Sequence, residues 1–191
     1  MDPDRKTEVN VRQLTAEEQK QFMEAKKVEL DSWIKHSVYS LADRVGVPRN
    51  RIMIMRWVLT WKPIPGTPAQ KAKARLVVRG FQDPDLTELR TEAPTLSRHA
   101  RHLLLQVSSS MKWKLLNGDV KTAFLQGDRD EGQREVYVEP NPDVAQILGI
   151  RPDQLMKLEG AVYGLVVAPR RWHFRVQKDM SSYGWRQHQL D

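Results

Sequence analysis

The chain has 191 residues, no cysteine and a formal net charge of +7. That length holds one ordinary domain plus a helical extension, and the lack of cysteine removes disulfides, thiolate zinc sites and cysteine nucleophiles together. Hydrophobic residues at 40% and charged residues at 29% describe a globular chain. No apolar run approaches the roughly 20 residues that span a bilayer, and Met1–Lys6 has no secretory pattern. An intracellular protein without a membrane partner is expected, cytoplasm and nucleus not being distinguished, and the positive charge favours a polyanion through counterion release.

In chain order, Thr15 followed by Glu18 reads as a capping box opening a helix whose stripe is Phe22, Met23, Leu30, Trp33 and Ile34. Glu17, Glu24, Lys27 and Asp31 would form its solvated side. From Met53 the period changes to two, with Met53, Met55, Trp57, Leu59 and Trp61 on one side of a strand. Pro63, Pro65, Gly66 and Pro68 exclude helix from the connection that follows. A second strand alternates Ala72, Ala74, Leu76 and Val78 with Lys73, Arg75, Val77 and Arg79, so the pair reads as a hairpin with one basic face.

Asp83-Pro84-Asp85 is a turn, and Ser97 caps a helix in which Ala100, Leu103, Leu104, Val107 and Met111 recur at helical spacing. That apolar side is expected to pack on the sheet. Trp113–Asp119 is read as a strand, Thr122–Leu125 as a short helical turn, Gly127–Arg134 as a polar loop and Glu135–Glu139 as a strand. Asn141-Pro142-Asp143 opens a short helix and Leu155–Leu158 is a further strand. Pro169 suits the first turn of a last helix running to about Met180, with Gly184 ending it.

Asp119 leaves a predicted strand at its polar end, where a carboxylate either caps the turn or reaches a hard cation. The Thr122 and Ala123 amides enter a helical turn and could donate to phosphate oxygens, and Phe124 lies five residues beyond Asp119, beside apolar Leu125, as a core aromatic would. Lys73, Arg75 and Arg79 form either a phosphate-gripping face or a solvated, edge-protecting one. His99 and His102 are most simply a surface pair, and Ser108-Ser109-Ser110 lacks the setting of a hydrolase nucleophile.

Four blocks in this order, Arg56–Trp61, Lys73–Phe81, Trp113–Gly127 and Ala161–Trp172, resemble the reverse transcriptases of Ty1/copia-type retrotransposons. The second carries the Lys-x-Arg-Leu-Val pattern as Lys73-Ala74-Arg75-Leu76-Val77. The fourth is similar to the family's Tyr-Gly-Leu-Lys-x-Ala-Pro-Arg, with Val166 in the Lys position, and Gly118 stands where a large apolar residue is usual.

The resemblance implies an α+β fold. It would be a partial reverse-transcriptase fingers and palm, with an antiparallel sheet, helices packed on it, a helical N-terminal extension over 1–50 and fingers plus first palm segment over 51–191. By the same resemblance Asp119 is catalytic and, with the Val120 carbonyl, binds Mg²⁺. Lys73, Arg75, Thr122, Ala123, Phe124, Tyr163 and Gly164 would contact the deoxynucleotide, with Phe124 against its sugar. Arg79 and Arg170 would contact nucleic acid. The implied partners are an RNA or DNA template–primer, a dNTP and the remainder of a Pol polyprotein. The sequence ends at Asp191 with no Tyr-x-Asp-Asp, so it is expected to be an N-terminal fragment, inactive alone. The alternative expectation is a noncatalytic remnant that binds nucleic acid through the basic hairpin, and a third is an interaction protein.

Overall fold

Helix α1 (Ala16–Lys35) begins at the expected capping box. Thr15 Oγ1 accepts from the Glu18 amide at 3.3 Å, and the Glu18 carboxylate accepts from the Thr15 amide at 2.8 Å. The computed structural model, which describes residues 8–128 and 134–186, turns the helix differently from the expected stripe. Phe22, Leu30 and Trp33 are buried, whereas Met23 and Ile34 are exposed, and Lys26 and Glu29 are buried in their place. Both charges have partners. Lys26 pairs with Asp143 at 2.5 Å and lies 5.6 Å from the Trp57 ring centre. Glu29 accepts from the Leu76 amide at 3.3 Å and from Trp33 Nε1 at 3.4 Å. A buried charge persists only when satisfied in this way.

Five strands form one sheet in the order β1-β5-β4-β2-β3. They are β1 (Tyr39–Asp43), β2 (Ile52–Pro63), β3 (Gln70–Val78), β4 (Tyr137–Glu139) and β5 (Gln154–Leu158). The β2–β3 hairpin is as expected, with Met55 opposite Val78, Trp57 opposite Leu76, Leu59 opposite Ala74 and Trp61 opposite Ala72. Side chains alternate across a strand, so the pairs Arg56 with Val77, Val58 with Arg75, Thr60 with Lys73 and Lys62 with Lys71 form the basic side.

The sheet is mixed, which corrects the expected antiparallel one: β4 runs parallel to β2 and antiparallel to β5. A long crossover separates β3 from β4, and that length allows the chain to return on the other side of β2 in the same direction. Strand β1, a short strand with no fully buried residue, was not expected.

The segment Trp113–Asp119 is not a strand, and its residues are exposed irregular backbone. A strand is sustained by a ladder partner. This segment pairs with neither sheet edge, and Asn117 and Gly118 weaken it intrinsically. Helix α2 (Arg98–Ser110) forms under its Ser97 cap, whose Oγ accepts from the Ala100 amide at 3.0 Å. Its apolar side does not pack on the sheet. Leu103, Leu104, Leu105 and Val107 are exposed, and Ser108 is its one buried residue among those described. Without a neighbouring strand at 113–119 that side has no support.

The remaining helices form where expected. Helix α3 (Pro142–Leu148) is capped by Asn141 and ended by Gly149; α4 (Ala168–Ser182) has a proline in its first turn and is followed by Gly184 at φ +82°. The polar loop expected over Gly127–Arg134 lies largely outside the described residues. Leu30 and Trp33 of α1 share a core with Met53, Leu76, Val138, Met156 and Val162, while Phe22 packs with Leu59, Ala72 and Ala74. Full burial of each large apolar side chain contributes about 2 kcal/mol.

Burial raises the Glu29 pKa above its ordinary 4.5, outweighing the Leu76 and Trp33 hydrogen bonds and the charges of Arg75 and Lys73. The folded state therefore holds the proton more tightly than the unfolded chain, and the stability linked to it is full below about pH 4.5 and is lost as pH rises through the folded value. In urea titrations at pH 5 and pH 8, Glu29→Gln should reduce the loss of stability with rising pH. Its amide oxygen still accepts from Leu76.

Candidate functional site

Two backbones meet where β3 ends. The Val78 amide donates to the Tyr163 carbonyl at 2.9 Å. Gly164 adopts φ +93°, and a Cβ there would lie 2.0 Å from the Val78 carbonyl oxygen, while a Cβ on Gly80 would lie 2.2 Å from the Gly164 oxygen. Only glycine fits this approach. The backbone that approaches Gly164 most closely is therefore that of β3 and Gly80.

Above this contact lies the segment 119–127. Phe124 meets Tyr163 edge to face, with ring centres 5.4 Å apart and planes at 62°, and Leu125 is buried in the main core. Residues Ala123–Gln126 form a single tight helical turn. Before it, Thr122 adopts left-handed φ +53°, ψ +35°, and its hydroxyl lies 3.3 Å from His36 Nε2. The Thr122 and Ala123 amides make no hydrogen bond among the described residues.

Asp119 and Val120 are exposed. The Tyr163 hydroxyl registers which charges surround it. Burial raises its pKa most, the carboxylates of Glu29 and Asp119 raise it further, and Arg75 opposes them. Asp119, Arg75, Phe124 and Tyr163 thus share one neighbourhood, with Lys73 and Arg75 also acting on Glu29. Among the described residues no group of three or more His, Asp or Glu side chains is gathered for a metal. Asp119 and the Val120 carbonyl offer hard oxygen donors of the type Mg²⁺ accepts while retaining several waters, so the donor chemistry fits one ion partly supplied by other ligands.

Arg170 is engaged elsewhere. It donates to the Glu92 carbonyl at 3.2 Å, pairs with the Glu92 carboxylate at 3.4 Å and lies 4.7 Å from the Phe174 ring centre. It fixes the irregular segment before α2 against α4. The Arg79 amide donates to the Ile54 carbonyl, and its side chain is half-buried.

Three features had not been singled out in the sequence. Glu29 could have been noticed, because it lies on the same helical side as Phe22, Lys26, Leu30 and Trp33, where a charge requires a partner. His36 offered no local sign. The third is a clamp in which Arg134 grips buried Asp83 at 2.6 and 2.7 Å and reaches Asp85 at 3.2 Å. Burial alone would raise the Asp83 pKa, but the Arg134 hydrogen bonds, the Asp85 amide and the charges of Arg134 and Arg51 together outweigh it and hold the carboxyl below its ordinary value. The Asp-Pro-Asp turn was legible; its distant guanidinium was not.

These blocks belong to a recognised class: residues 37–191 match the family described as reverse transcriptase (RNA-dependent DNA polymerase), and the chain is a member of that family, of the copia retrotransposon type. It is 32% identical over 183 residues to the Retrovirus-related Pol polyprotein from transposon TNT 1-94 of Nicotiana tabacum, a match covering 94% of this chain and 13% of that one. It is also 32% identical to the Pol polyproteins from transposons RE2 and RE1 of Arabidopsis thaliana, covering 72% and 75% of this chain and 9% and 10% of theirs. The chain therefore spans a small part of the length of these relatives. No solved structure matches it significantly.

Gly164→Ala should unfold more easily in urea than Gly149→Ala. The second meets only the cost of a positive φ, about 1–2 kcal/mol, because no atom lies within 4 Å of its Cβ position. The first must in addition part β3 from the Tyr163 turn, for a total of about 3 kcal/mol or more.

Proposed function

We propose that this chain is the fingers and first palm segment of an RNA-directed DNA polymerase, part of a copia-type Pol polyprotein, with residues 1–50, which hold α1 and β1, an N-terminal extension supporting 51–191. The supporting observation is the meeting of charges at Tyr163. The charges of Glu29, Arg75 and, least, exposed Asp119 all bear on the Tyr163 hydroxyl, and the Tyr163 ring meets Phe124 edge to face.

In this reading Asp119 and the Val120 carbonyl are the protein ligands of a catalytic Mg²⁺. Bound there, such an ion would supply Lewis-acid charge to nucleotidyl transfer. Lys73 and Arg75 lie along the triphosphate, the Thr122 and Ala123 amides donate to its oxygens, and Phe124 abuts the sugar. Tyr163 and Gly164 flank the base, and Arg79 and Arg170 border the template–primer, the latter once released from Glu92. The substrates are a dNTP and an RNA or DNA template–primer.

One carboxylate cannot hold two ions in register, so purified 1–191 supplied with Mg²⁺, dNTPs and a primed RNA template should give no primer extension. Robust extension would overturn the assignment of roles.

The basic side of the hairpin favours a second reading, a noncatalytic nucleic-acid-binding module. Lys62, Lys71, Lys73 and Arg75 share that side by register. In either reading, replacing Lys73, Arg75 and Arg79 together by Ala should reduce the slope of log affinity against log salt for single-stranded RNA by about 2, since each lost phosphate contact contributes roughly 0.7. The readings part at Asp119→Asn. Placed in a longer form of the chain, that change should abolish extension under the first, whereas under the second the longer form extends no primer with or without it and its affinity for RNA is unchanged.

A further inference from the structure

The Thr122 turn is held from outside. A threonine at φ +53° is strained, because a branched Cβ crowds the backbone in the left-handed region, and such a conformation persists only where its surroundings impose it. Here a chain of hydrogen bonds does so. The Thr122 hydroxyl donates its one hydrogen to the Lys121 carbonyl at 2.7 Å. Toward His36 Nε2, 3.3 Å away, the same oxygen is then free to accept, which it does in the tautomer that carries the hydrogen on Nε2. Gln126 Nε2 also donates to the Lys121 carbonyl, at 2.8 Å. The carbonyl is thus drawn inward from two sides.

This fixes the peptide that follows. The Lys121–Thr122 bond is trans, so its N–H points opposite to its C=O. With the carbonyl held by Thr122 and Gln126, the Thr122 amide is turned away from the network, and it forms no hydrogen bond among the described residues. His36 is a rigid anchor for this arrangement. It caps the C-terminus of α1, its amide bonded to the Ser32 carbonyl at 3.1 Å, and α1 is itself held by Trp33 in the core and by the buried Lys26 and Glu29 contacts.

We propose that His36 is a positioning residue that locks Thr122 in its left-handed conformation and so aims the Thr122 and Ala123 amides at a phosphate group, coupling the N-terminal helix to the nucleotide site. The ligand half of this proposal rests on the nucleotide reading given above; the lock does not.

The test uses the full chain, with amide hydrogen exchange and titration with inorganic tripolyphosphate. Leu125 and Gly127 report on the turn, since their amides donate to Thr122 and Phe124 carbonyls at 2.9 and 3.1 Å. His36→Ala should speed their exchange and weaken tripolyphosphate binding by about three- to tenfold, the worth of one part-buried hydrogen bond. His36→Gln, which retains a donor, should restore both. Thr122→Val, which keeps the branch and removes the hydroxyl, should match His36→Ala, and the double variant should be no worse than either.

Unchanged exchange in His36→Ala and Thr122→Val would overturn the lock. Faster exchange with equal tripolyphosphate affinity in all variants would overturn the positioning role and leave the nucleotide reading intact. Faster exchange in a chain that never binds tripolyphosphate would overturn the nucleotide reading itself.

Discussion

The site depends on one close approach, that of the Tyr163–Gly164 backbone to Val78 and Gly80. Distances of 2.0 and 2.2 Å from hypothetical Cβ positions to carbonyl oxygens leave no room for a side chain on either glycine. The contact joins the end of the β2–β3 hairpin to the turn that opens α4. Everything proposed for the nucleotide is arranged about it: the Tyr163 ring follows Gly164's conformation, Phe124 leans on Tyr163, and Arg75 and Asp119 act on the Tyr163 hydroxyl. Loosening that seam would disperse the groups without altering any of them chemically.

Helix α1 is the second support, and its charges make it specific. A plain apolar stripe could slide or rotate on the sheet, because hydrophobic contact has no direction. Glu29 receiving the Leu76 amide, and Lys26 reaching Asp143 at the start of α3, fix both its rotation and its position along β3. The same registration places His36 beside Thr122. Burying Glu29 has an energetic cost, reflected in its raised pKa, and the cost is offset only in the one docking that satisfies its oxygens.

What was legible in the sequence was local. The capping box and the other helix caps, the hairpin with its alternating faces, the proline and glycine boundaries of α3 and α4, and the tight turn after Asp119 all follow from residues within a few positions of one another. The failures share a cause of the opposite kind. Trp113–Asp119 has a strand's composition but finds no ladder partner, α2 has an amphipathic pattern but no surface to rest on, and β4 runs parallel because of a crossover whose path no local pattern records. Likewise Asp119, Phe124 and Tyr163 could be named from motif spacing, whereas Glu29, His36 and Arg134 act across 47, 86 and 51 residues.

The two failures at α2 and Trp113–Asp119 belong together physically. Leu103, Leu104, Leu105, Met111, Trp113, Leu115 and Leu116 are all exposed, on consecutive pieces of chain, whereas scattered single apolar residues are the norm on a protein surface. Asp119 comes at the end of that same stretch. A carboxylate intended to hold a metal in register needs its backbone fixed to within a fraction of an ångström, and an unpaired segment does not provide that. The groups on β3, Tyr163 and the Thr122 turn are already held by the fold. The exposed apolar stretch is the part whose covering would bring the carboxylate to the same standard, so in the proposed reading the metal half of the site is the less organised one and the phosphate half the more complete.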